Sequence, residues 1–289
     1  MIIGSRHRSG VLLVLGGVVS VQVGAAFAKG LFDVAGPSGV VWLRLAIAAA
    51  VLLLAARPKL RALGGFQWRP VIAFGLVLAG MNWSFYEALA RIPLGAAVTV
   101  EFVGPLGVAV LARRTRRQVV LVVVAAVGLL LLTRAGGEPL DVVGVAFAFL
   151  AGLLWAGYIV LSARVGAAVP GTAGLALALT VGAVATLPGG AVALSGADLG
   201  PSFLAFTALV ALMSSVVPYA FEMEALRRIP TALFGVLLSL EPAAAALAGA
   251  VVLDENLLPR QWLGVALVVV AASVATLQRD HAVPAPAPD

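Results

Sequence analysis

Residues 87–93 of the chain, E-A-L-A-R-I-P, recur as E-A-L-R-R-I-P at residues 224–230. Six of the seven positions agree at an offset of 137, and Pro105 and Pro242 keep that offset further along the chain. Both copies lie at the junction between two long apolar runs. An internal repeat of this kind is typical of membrane proteins built from two halves with the same structural plan.

The composition of the chain is that of a membrane protein. Hydrophobic residues make up 62% of its 289 residues and charged residues only 11%, whereas soluble domains carry about 25% charged residues. A helix needs about 20 apolar residues to cross the ~30 Å hydrocarbon core of a bilayer. The alternating segments of about ten residues that spanning strands would show are absent. Ten runs of suitable length predict spans at residues 10–29, 38–56, 70–90, 94–112, 117–134, 142–164, 172–194, 203–226, 231–253 and 260–278.

The repeat and the spans together predict the fold. Because each half contains five spans, an odd number, the second half enters the membrane in the opposite direction to the first. We therefore expect an all-α membrane protein with ten transmembrane helices in two inverted five-helix repeats, residues 1–137 and 138–278. Residues 279–289 are rich in proline and alanine, and we expect them to form a disordered cytoplasmic tail.

Basic residues predict which side of the membrane each loop faces. Fourteen of the nineteen lysines and arginines lie on the same side as the N-terminus and four lie on the other side. Such an excess marks the cytoplasmic side, so both termini are expected in the cytoplasm. The first span also resembles a cleaved signal peptide, since basic residues precede it and Ala26-Phe27-Ala28 resembles a cleavage site. We favour its retention, because the run is long for a signal peptide and its loss would leave the first half one helix short.

Two glutamates, Glu101 and Glu241, lie in the middle of apolar runs, each close to a proline. A carboxylate at mid-bilayer depth costs ~2.5–3.5 kcal/mol on insertion scales, so such groups usually face water or partners inside a helix bundle. Each glutamate is expected either to carry a proton or to anchor a substrate ammonium group. The alternative is a structural carboxyl group that caps backbone at a kink. Pro105 and Pro242 lack the N–H that would bond the carbonyl four residues earlier, so kinks are expected at both places.

Arg44 is the one basic residue deep within a predicted span. Its guanidinium group suits two parallel hydrogen bonds to a substrate carboxylate; it could instead pair with a glutamate as a gate, or extend to the outer membrane surface. Glu222, near the inner end of span 8, is a candidate for proton transfer or an interfacial acid. Other polar and aromatic residues could line a small pocket or form hydrogen bonds between helices. These are Gln22, Asn82, Tyr86, Trp155, Tyr158 and Tyr219.

Charged residues at the ends of spans have a simpler interpretation. Lys29, at the outer end of span 1, is expected at the membrane interface. Glu87 and Arg91, like Glu224 and Arg228, are four residues apart in the last turn of a predicted helix. This spacing predicts ordinary helix-end ion pairs.

Several function classes are excluded by the residues present. The chain has no cysteine, and its two histidines, His7 and His281, lie in the polar tails, so a thiolate or histidine metal site within the membrane is not expected. The spans contain no zinc motif and no G-x-S-x-G elbow, so an intramembrane zinc enzyme or serine hydrolase is not expected. The chain has no G-x-x-x-x-G-K loop to bind nucleotide phosphates, so a nucleotide-driven pump is not expected either. We therefore expect no cofactor, no metal and no enzyme activity. The net charge of +6 comes mainly from basic residues in short loops, so nucleic acid is not an expected partner.

Taken together, the motifs are similar to those of the EamA-type drug/metabolite transporter superfamily. In the first half they are A-K-G-L-F around Lys29, L-R-L-A around Arg44, M-N-W-x-F-Y from Met81 and P-L-G-x-A-V-x-x-E-F-x-G-P-L from Pro93. In the second half they are P-Y-x-x-E-M-x-A-L from Pro218 and S-L-E-P-A from Ser239. They extend from about residue 20 to about residue 270. Asp254-Glu255 departs from the Gly-Glu that is frequent in the superfamily.

The resemblance implies an exporter of the bacterial inner membrane that acts by alternating access. We expect small hydrophilic amino acids as substrates, threonine and homoserine first, and proton influx as the driving force. Glu101 or Glu241 would bind the ammonium group or the proton, and Arg44 the carboxylate. The alternative is a broader exporter of drugs, aromatic amino acids or purines. Besides substrate, protons and lipid we expect no partner, and a monomer or weak dimer.

Overall fold

The structure, a computed structural model, describes residues 5–58, 65–111, 116–133, 140–169 and 172–280. All regular elements in these ranges are helical. They are α1 (Ser5–Lys29), α2 (Phe32–Ala56), α3 (Gly65–Leu89), α4 (Leu94–Glu101), α5 (Val103–Leu111), α6 (Arg116–Thr133), α7 (Val142–Ala168), α8 (Ala173–Ala193), α9 (Pro201–Ala211), a π segment (Leu212–Val216), α10 (Val217–Leu226), α11 (Thr231–Leu238), α12 (Glu241–Val252) and α13 (Pro259–Asp280).

The helices confirm an all-helical membrane protein. Within the described residues, eight helical segments are long and apolar enough to cross a membrane, and two shorter apolar segments cover Leu94–Val108 and Val119–Leu132. Each coincides with a predicted span, although α2 begins at Phe32 and contains a non-helical residue, Gly36, with φ of 61°. At the other end α13 continues to Asp280, two residues into the segment expected as a disordered tail. The rest of that segment lies outside the described residues.

Two apolar segments are broken at equivalent places of the repeat. α4 and α11 have the same length, and their bounds differ by 137 residues, which is the offset of the sequence repeat. Pro105 and Pro242 lack the N–H group that would bond the carbonyl of the last residue of α4 and of α11, and this explains the breaks. The equivalence found in the sequence therefore extends to local structure.

The π segment between α9 and α10 adjoins a proline and is hydrogen-bonded by a serine of another helix. The Val217 N–H bonds the Leu212 carbonyl, five residues earlier. In that register Pro218, which has no N–H, leaves the Met213 carbonyl without a backbone donor. The Ser20 hydroxyl of α1 donates to this carbonyl at 2.8 Å. Non-helical backbone at membrane depth is tolerated where such a donor is present.

Packing between helices follows the repeat. α3 packs along α7, and α10 packs along α1. A Cβ atom on Gly10 of α1 would lie 2.6 Å from Ile229 Cγ2, and a Cβ atom on Gly144 of α7 would lie 2.8 Å from Ile92 Cγ2. Ile92 and Ile229 are one repeat offset apart. α1 and α7, whose first residues are also 137 apart, therefore make equivalent contacts.

The last helices of the two halves, α6 and α13, meet backbone to backbone. A Cβ atom on Gly128 would lie 2.7 Å from the Gly264 carbonyl oxygen, and one on Gly264 would lie 2.5 Å from the Gly128 carbonyl oxygen. Gln261 Nε2 donates to the Leu132 carbonyl at 3.3 Å along the same contact. Small residues of this kind let membrane helices approach closely. We call this contact the α6–α13 seam.

Candidate functional site

The helix breaks position two buried glutamates. Glu101 is the last residue of α4 and Glu241 the first of α12, and their side chains are only 8% and 9% exposed. α4 packs against α12. The contact is close at Gly95, where an added Cβ atom would lie only 2.7 Å from Ala246 Cα. Glu101 and Glu241 are close enough for their like charges to repel each other. The structure therefore brings the two acids together within apolar helices.

α7 supports the break that carries Glu101. A Cβ atom on Gly152 would lie 2.5 Å from the Glu101 carbonyl oxygen, and one on Gly104 would overlap the Gly152 carbonyl. The Glu101 carbonyl is the one that Pro105 leaves without a helical partner. Two glycines thus allow α7 to lie directly against the irregular backbone at this point.

Arg44 of α2 lies beside Glu101. Its Cζ atom is 5.0 Å from the centroid of the Tyr86 ring, a geometry in which the cation is attracted to the ring. Both side chains are buried, so Arg44 does not extend to the surface. An electrostatic interaction joins Arg44 to Glu101. The Arg44 Nε and the Tyr86 hydroxyl are buried without a hydrogen-bond partner in the protein, which makes them donors available to an anionic group.

Two tyrosines and a third acid adjoin this group. The hydroxyl groups of Tyr158, on α7, and Tyr219, on α10, form a short hydrogen bond. Electrostatic interactions join Glu222 to both tyrosines and to Glu241. Another joins Arg44 to Tyr219. We call these residues the charged cluster: Arg44, Tyr86, Glu101, Tyr158, Tyr219, Glu222 and Glu241.

The other three pocket candidates are placed differently. Asn82 Nδ2 donates to the Leu78 carbonyl of its own helix at 2.7 Å, so one of its two N–H donors is used within that helix. Trp155 packs edge-on against Phe102, with ring centroids 5.4 Å apart, and therefore supports the break beside Glu101. Gln22 is buried, and its Oε1 atom has no hydrogen-bond partner in the protein.

The helix-end pairs expected from the sequence are confirmed. Arg91 Nη1 lies 2.7 Å from Glu87 Oε2, and Arg228 Nη2 lies 2.6 Å from Glu224 Oε1. Both pairs are partly exposed. They are equivalent positions of the repeat and belong to the rims of the bundle, not to the charged cluster.

One charged contact was missed by the sequence interpretation. Lys29 was expected at the interface, but its Nζ lies 2.6 Å from Glu255 Oε1, in the loop before α13. The two residues are 226 positions apart, so spacing gives no signal of the pair. The departure at Asp254-Glu255 drew attention to this loop without indicating its partner.

A separate groove lies between α2, α3 and α8. Its volume is about 300 Å³, and Ser38, Trp83 and Thr186 are its larger polar lining residues. Trp83 Nε1 donates to Ser38 Oγ at 3.0 Å. No member of the charged cluster lines this groove. Among the described residues, no three His, Cys, Asp or Glu side chains are grouped to hold a metal ion.

Known proteins with similar sequences are transporters. Residues 142–277 match the model of the EamA-like transporter family. The chain is 38% identical over 269 residues to the threonine/homoserine exporter RhtA of Salmonella typhimurium (strain LT2), and equally to that of Escherichia coli (strain K12). In both cases the alignment covers 92% of this chain and 91% of the relative.

One crystal structure of a protein shares the overall fold. Its TM-score is 0.66 at 20% sequence identity, and the match covers 95% of this chain and 98% of that chain. This likeness concerns the fold alone, whereas the identity to the exporters extends along nearly the whole sequence. The chain therefore belongs to the EamA-like transporter family, and it is a multi-pass membrane transporter rather than an enzyme.

Proposed function

We propose that the protein is a secondary active exporter of small hydrophilic amino acids, such as threonine and homoserine, in the inner membrane of a bacterial cell. The names of its relatives support the substrate class. The observation that carries the proposal is the buried pair Glu101–Glu241, with Arg44 close enough to Glu101 for their opposite charges to interact. An amino acid carries both signs of charge, and this group offers a partner to each.

The carboxylate of the substrate binds Arg44. A guanidinium group matches a carboxylate through two parallel hydrogen bonds, and the buried Nε atom of Arg44, which has no hydrogen-bond partner in the protein, can donate one of them. The Tyr86 hydroxyl adds a neutral donor beside it. The contact with the Tyr86 ring also restrains the position of the Arg44 guanidinium group, which lowers the entropy lost when the substrate binds.

The ammonium group of the substrate and the transported proton compete for the two glutamates. Two nearby buried carboxylates repel each other, so a cation or a proton between them is stabilising. Release of the substrate outward and uptake of a proton on the same side then couple export to proton influx. Glu222 lies near Glu241 and serves as a further proton acceptor towards the cytoplasmic end of the molecule.

Alternating access follows from the two halves. All ten apolar segments cross the membrane, the second half is inverted relative to the first, and both termini are cytoplasmic. The equivalent breaks of α4 and α11 support this arrangement, as does the reciprocal packing of α1 and α7. Substrate and ion sites near the midplane between inverted repeats are frequent among secondary transporters.

Transport by purified protein in proteoliposomes tests the proposal. With an imposed pH gradient, radiolabelled threonine should be transported, and Glu101→Gln and Glu241→Gln should each reduce the rate by about tenfold or more, which is ~1.4 kcal/mol of lost stabilisation. Glu224→Gln, in a partly exposed helix-end pair, is the matched control and should transport normally. Normal transport by both buried-site variants would refute the proposal.

Exchange of labelled for unlabelled threonine without a pH gradient separates the two roles of the acids. A variant that exchanges substrate normally but no longer responds to the gradient has lost its proton site. A variant that fails in both assays has lost the ammonium site. Either result supports one of the two assignments for the residue that was changed.

The tyrosine pair favours a second candidate substrate class. Tyr158 lies against Phe74, with ring centroids 5.0 Å apart, and Tyr219 is bonded to the Tyr158 hydroxyl. Such an aromatic surface suits aromatic amino acids or purines. Competition with threonine transport distinguishes the classes. Stronger inhibition by phenylalanine or a purine than by homoserine would assign the broader substrate range.

A further inference from the structure

Glu255 joins three elements at one end of the molecule. One carboxylate oxygen lies 2.6 Å from Lys29 Nζ at the end of α1, and the other accepts the Leu94 N–H at 2.7 Å. Lys29 Nζ also donates to the Ile92 carbonyl at 3.3 Å. Leu94 is the first residue of α4, whose preceding residue, Pro93, makes no side-chain cap. Glu255 therefore caps α4, and its charge favours this position at a helix N-terminus.

The contact connects the two halves. Lys29, Ile92 and Leu94 belong to the first half of the chain, and Glu255 belongs to the second. The pair is partly buried, and charge-assisted hydrogen bonds of this kind are stronger than neutral ones. Any movement that separates α1 and α4 from the loop before α13 must break both bonds of Glu255, to Lys29 and to the Leu94 N–H, together.

A tightly packed apolar layer lies next to this contact. We call it the outer plug, and its residues come from α1, α3, α4 and α12. They are Ala25, Ala26, Leu89, Leu94, Val98, Ala245 and Ala248, all buried. Leu94 belongs to the plug and donates its N–H to Glu255, so the plug and the ion pair are directly connected.

The repeat equivalents of two residues of this layer are less buried, although Val14, Val18, Ala225 and Ile229 form a buried cluster near them. Leu89 is 0% exposed, whereas its repeat equivalent, Leu226, is 46% exposed. Leu94 is buried, whereas its equivalent, Thr231, is exposed. Equivalent positions therefore differ in burial, although α3 and α10 end at equivalent residues and α4 and α11 have equivalent bounds. At these positions the end that holds Glu255 is the more closely packed.

We propose that Lys29, Glu255 and the outer plug form the outer gate of the transporter, and that this conformation has the outer gate closed. The proposal rests on the topology and the alternating-access function given above. Closer packing at one end than at the other fits the alternating access between two halves that the proposed function requires. In the last step of export, the ion pair separates, α4 loses its cap, the plug opens and the substrate is released outside.

Cysteine labelling tests the gate, and the chain has no native cysteine to interfere. In whole cells, Ala25→Cys should react slowly with a membrane-impermeant maleimide because residue 25 lies in the plug. Adding Lys29→Met or Glu255→Gln should speed labelling by about tenfold, a shift of about 1.4 kcal/mol towards the open state. Glutamine at position 255 can still accept the Leu94 N–H, so this variant removes the charge and keeps the cap.

Ser195→Cys is the matched control for accessibility. Ser195 is exposed in the segment between α8 and α9, which faces the outside in the proposed topology. It should react rapidly and equally in all backgrounds. If it fails to react in intact cells, the proposed topology is wrong; if it reacts while residue 25 is unaffected by both gate variants, the gate is wrong and the topology stands.

A reversible cross-link distinguishes a gate from a purely structural bond. In the double variant Lys29→Cys with Glu255→Cys, a short reagent that joins two thiols through a reducible link should stop threonine transport. Reduction of the link should restore it. Full transport by the cross-linked protein would overturn the proposal, because a contact that never opens is not a gate.

Discussion

Gly152→Ala tests whether α7 holds the Glu101 backbone in place. A Cβ atom at residue 152 would lie 2.5 Å from the Glu101 carbonyl oxygen and 3.2 Å from its Cα. A carbon atom normally stays about 3.3 Å or more from a carbonyl oxygen, so the helices would have to separate by about 0.8 Å at this point. The substitution therefore acts on the one residue whose position matters most for the proposed site.

The size of the effect follows from two opposing contributions. Overpacking in a closely packed region costs about 1–3 kcal/mol, and the greater helix propensity of alanine offsets about 0.5–1 kcal/mol of this. We expect a net loss of about 1–2 kcal/mol in the free energy of unfolding. Transport should fall by about tenfold or more, because displacements near 1 Å in a site that orients its ligand have effects of that size.

Gly157→Ala is the matched control on the same helix. There the new Cβ atom would lie 3.5 Å from Val77 Cγ1, which is an ordinary contact, so only the gain in helix propensity remains. Thermal unfolding in detergent should give a lower midpoint for Gly152→Ala than for Gly157→Ala. Threonine transport in proteoliposomes should show the same order. Equal midpoints and equal transport rates for the two variants would refute the argument that α7 fixes this break.

Three further predictions concern polar contacts. Ser20→Ala should lower the free energy of unfolding by about 1 kcal/mol, because the Met213 carbonyl loses its hydroxyl donor; Ser20→Thr keeps a hydroxyl, and equal unfolding midpoints for the two variants would contradict this. Tyr158→Phe and Tyr219→Phe should each destabilise the protein, and a double-mutant cycle should give a coupling of about 0.5–1.5 kcal/mol; strict additivity would show that the hydroxyl pair contributes nothing. Arg44→Lys keeps the charge but loses the planar fork, so the KM for threonine should rise by about tenfold, and an unchanged KM in the transport assay would argue against carboxylate binding at this residue.

Much of the architecture was predictable because it depends on composition and on proline. Long apolar runs mark helices wherever they occur, and the helix bounds agree with the predicted spans within a few residues at most ends. The breaks after α4 and α11 follow from Pro105 and Pro242, since a missing N–H acts on a carbonyl at a fixed distance along the chain. Helix-end pairs such as Glu87–Arg91 were predictable for the same reason, because their spacing is local.

Contacts between distant parts of the chain were not predictable in the same way. Nothing in the sequence indicates that Lys29 meets Glu255, because neither periodicity nor spacing connects them. The π segment depends on Ser20, which lies on another helix and supplies the donor that the segment needs. Asn82 illustrates the opposite limit, since a polar residue in a span is as well suited to bond its own helix as to face a cavity. The inversion of the two halves remains a prediction to be tested by cysteine labelling, and the roles of Glu101, Glu241 and Arg44 remain predictions to be tested by transport.

The α6–α13 seam restricts how the molecule can move. With no side chain between Gly128 and Gly264, neither helix can slide along the other without lifting over a carbonyl group. In the proposed alternating-access cycle, this contact therefore stays fixed while the two halves rotate about it. The widest travel then belongs to the helices farthest from it, and a bulky residue placed at either glycine would shift the resting angle of the halves without touching any ligand.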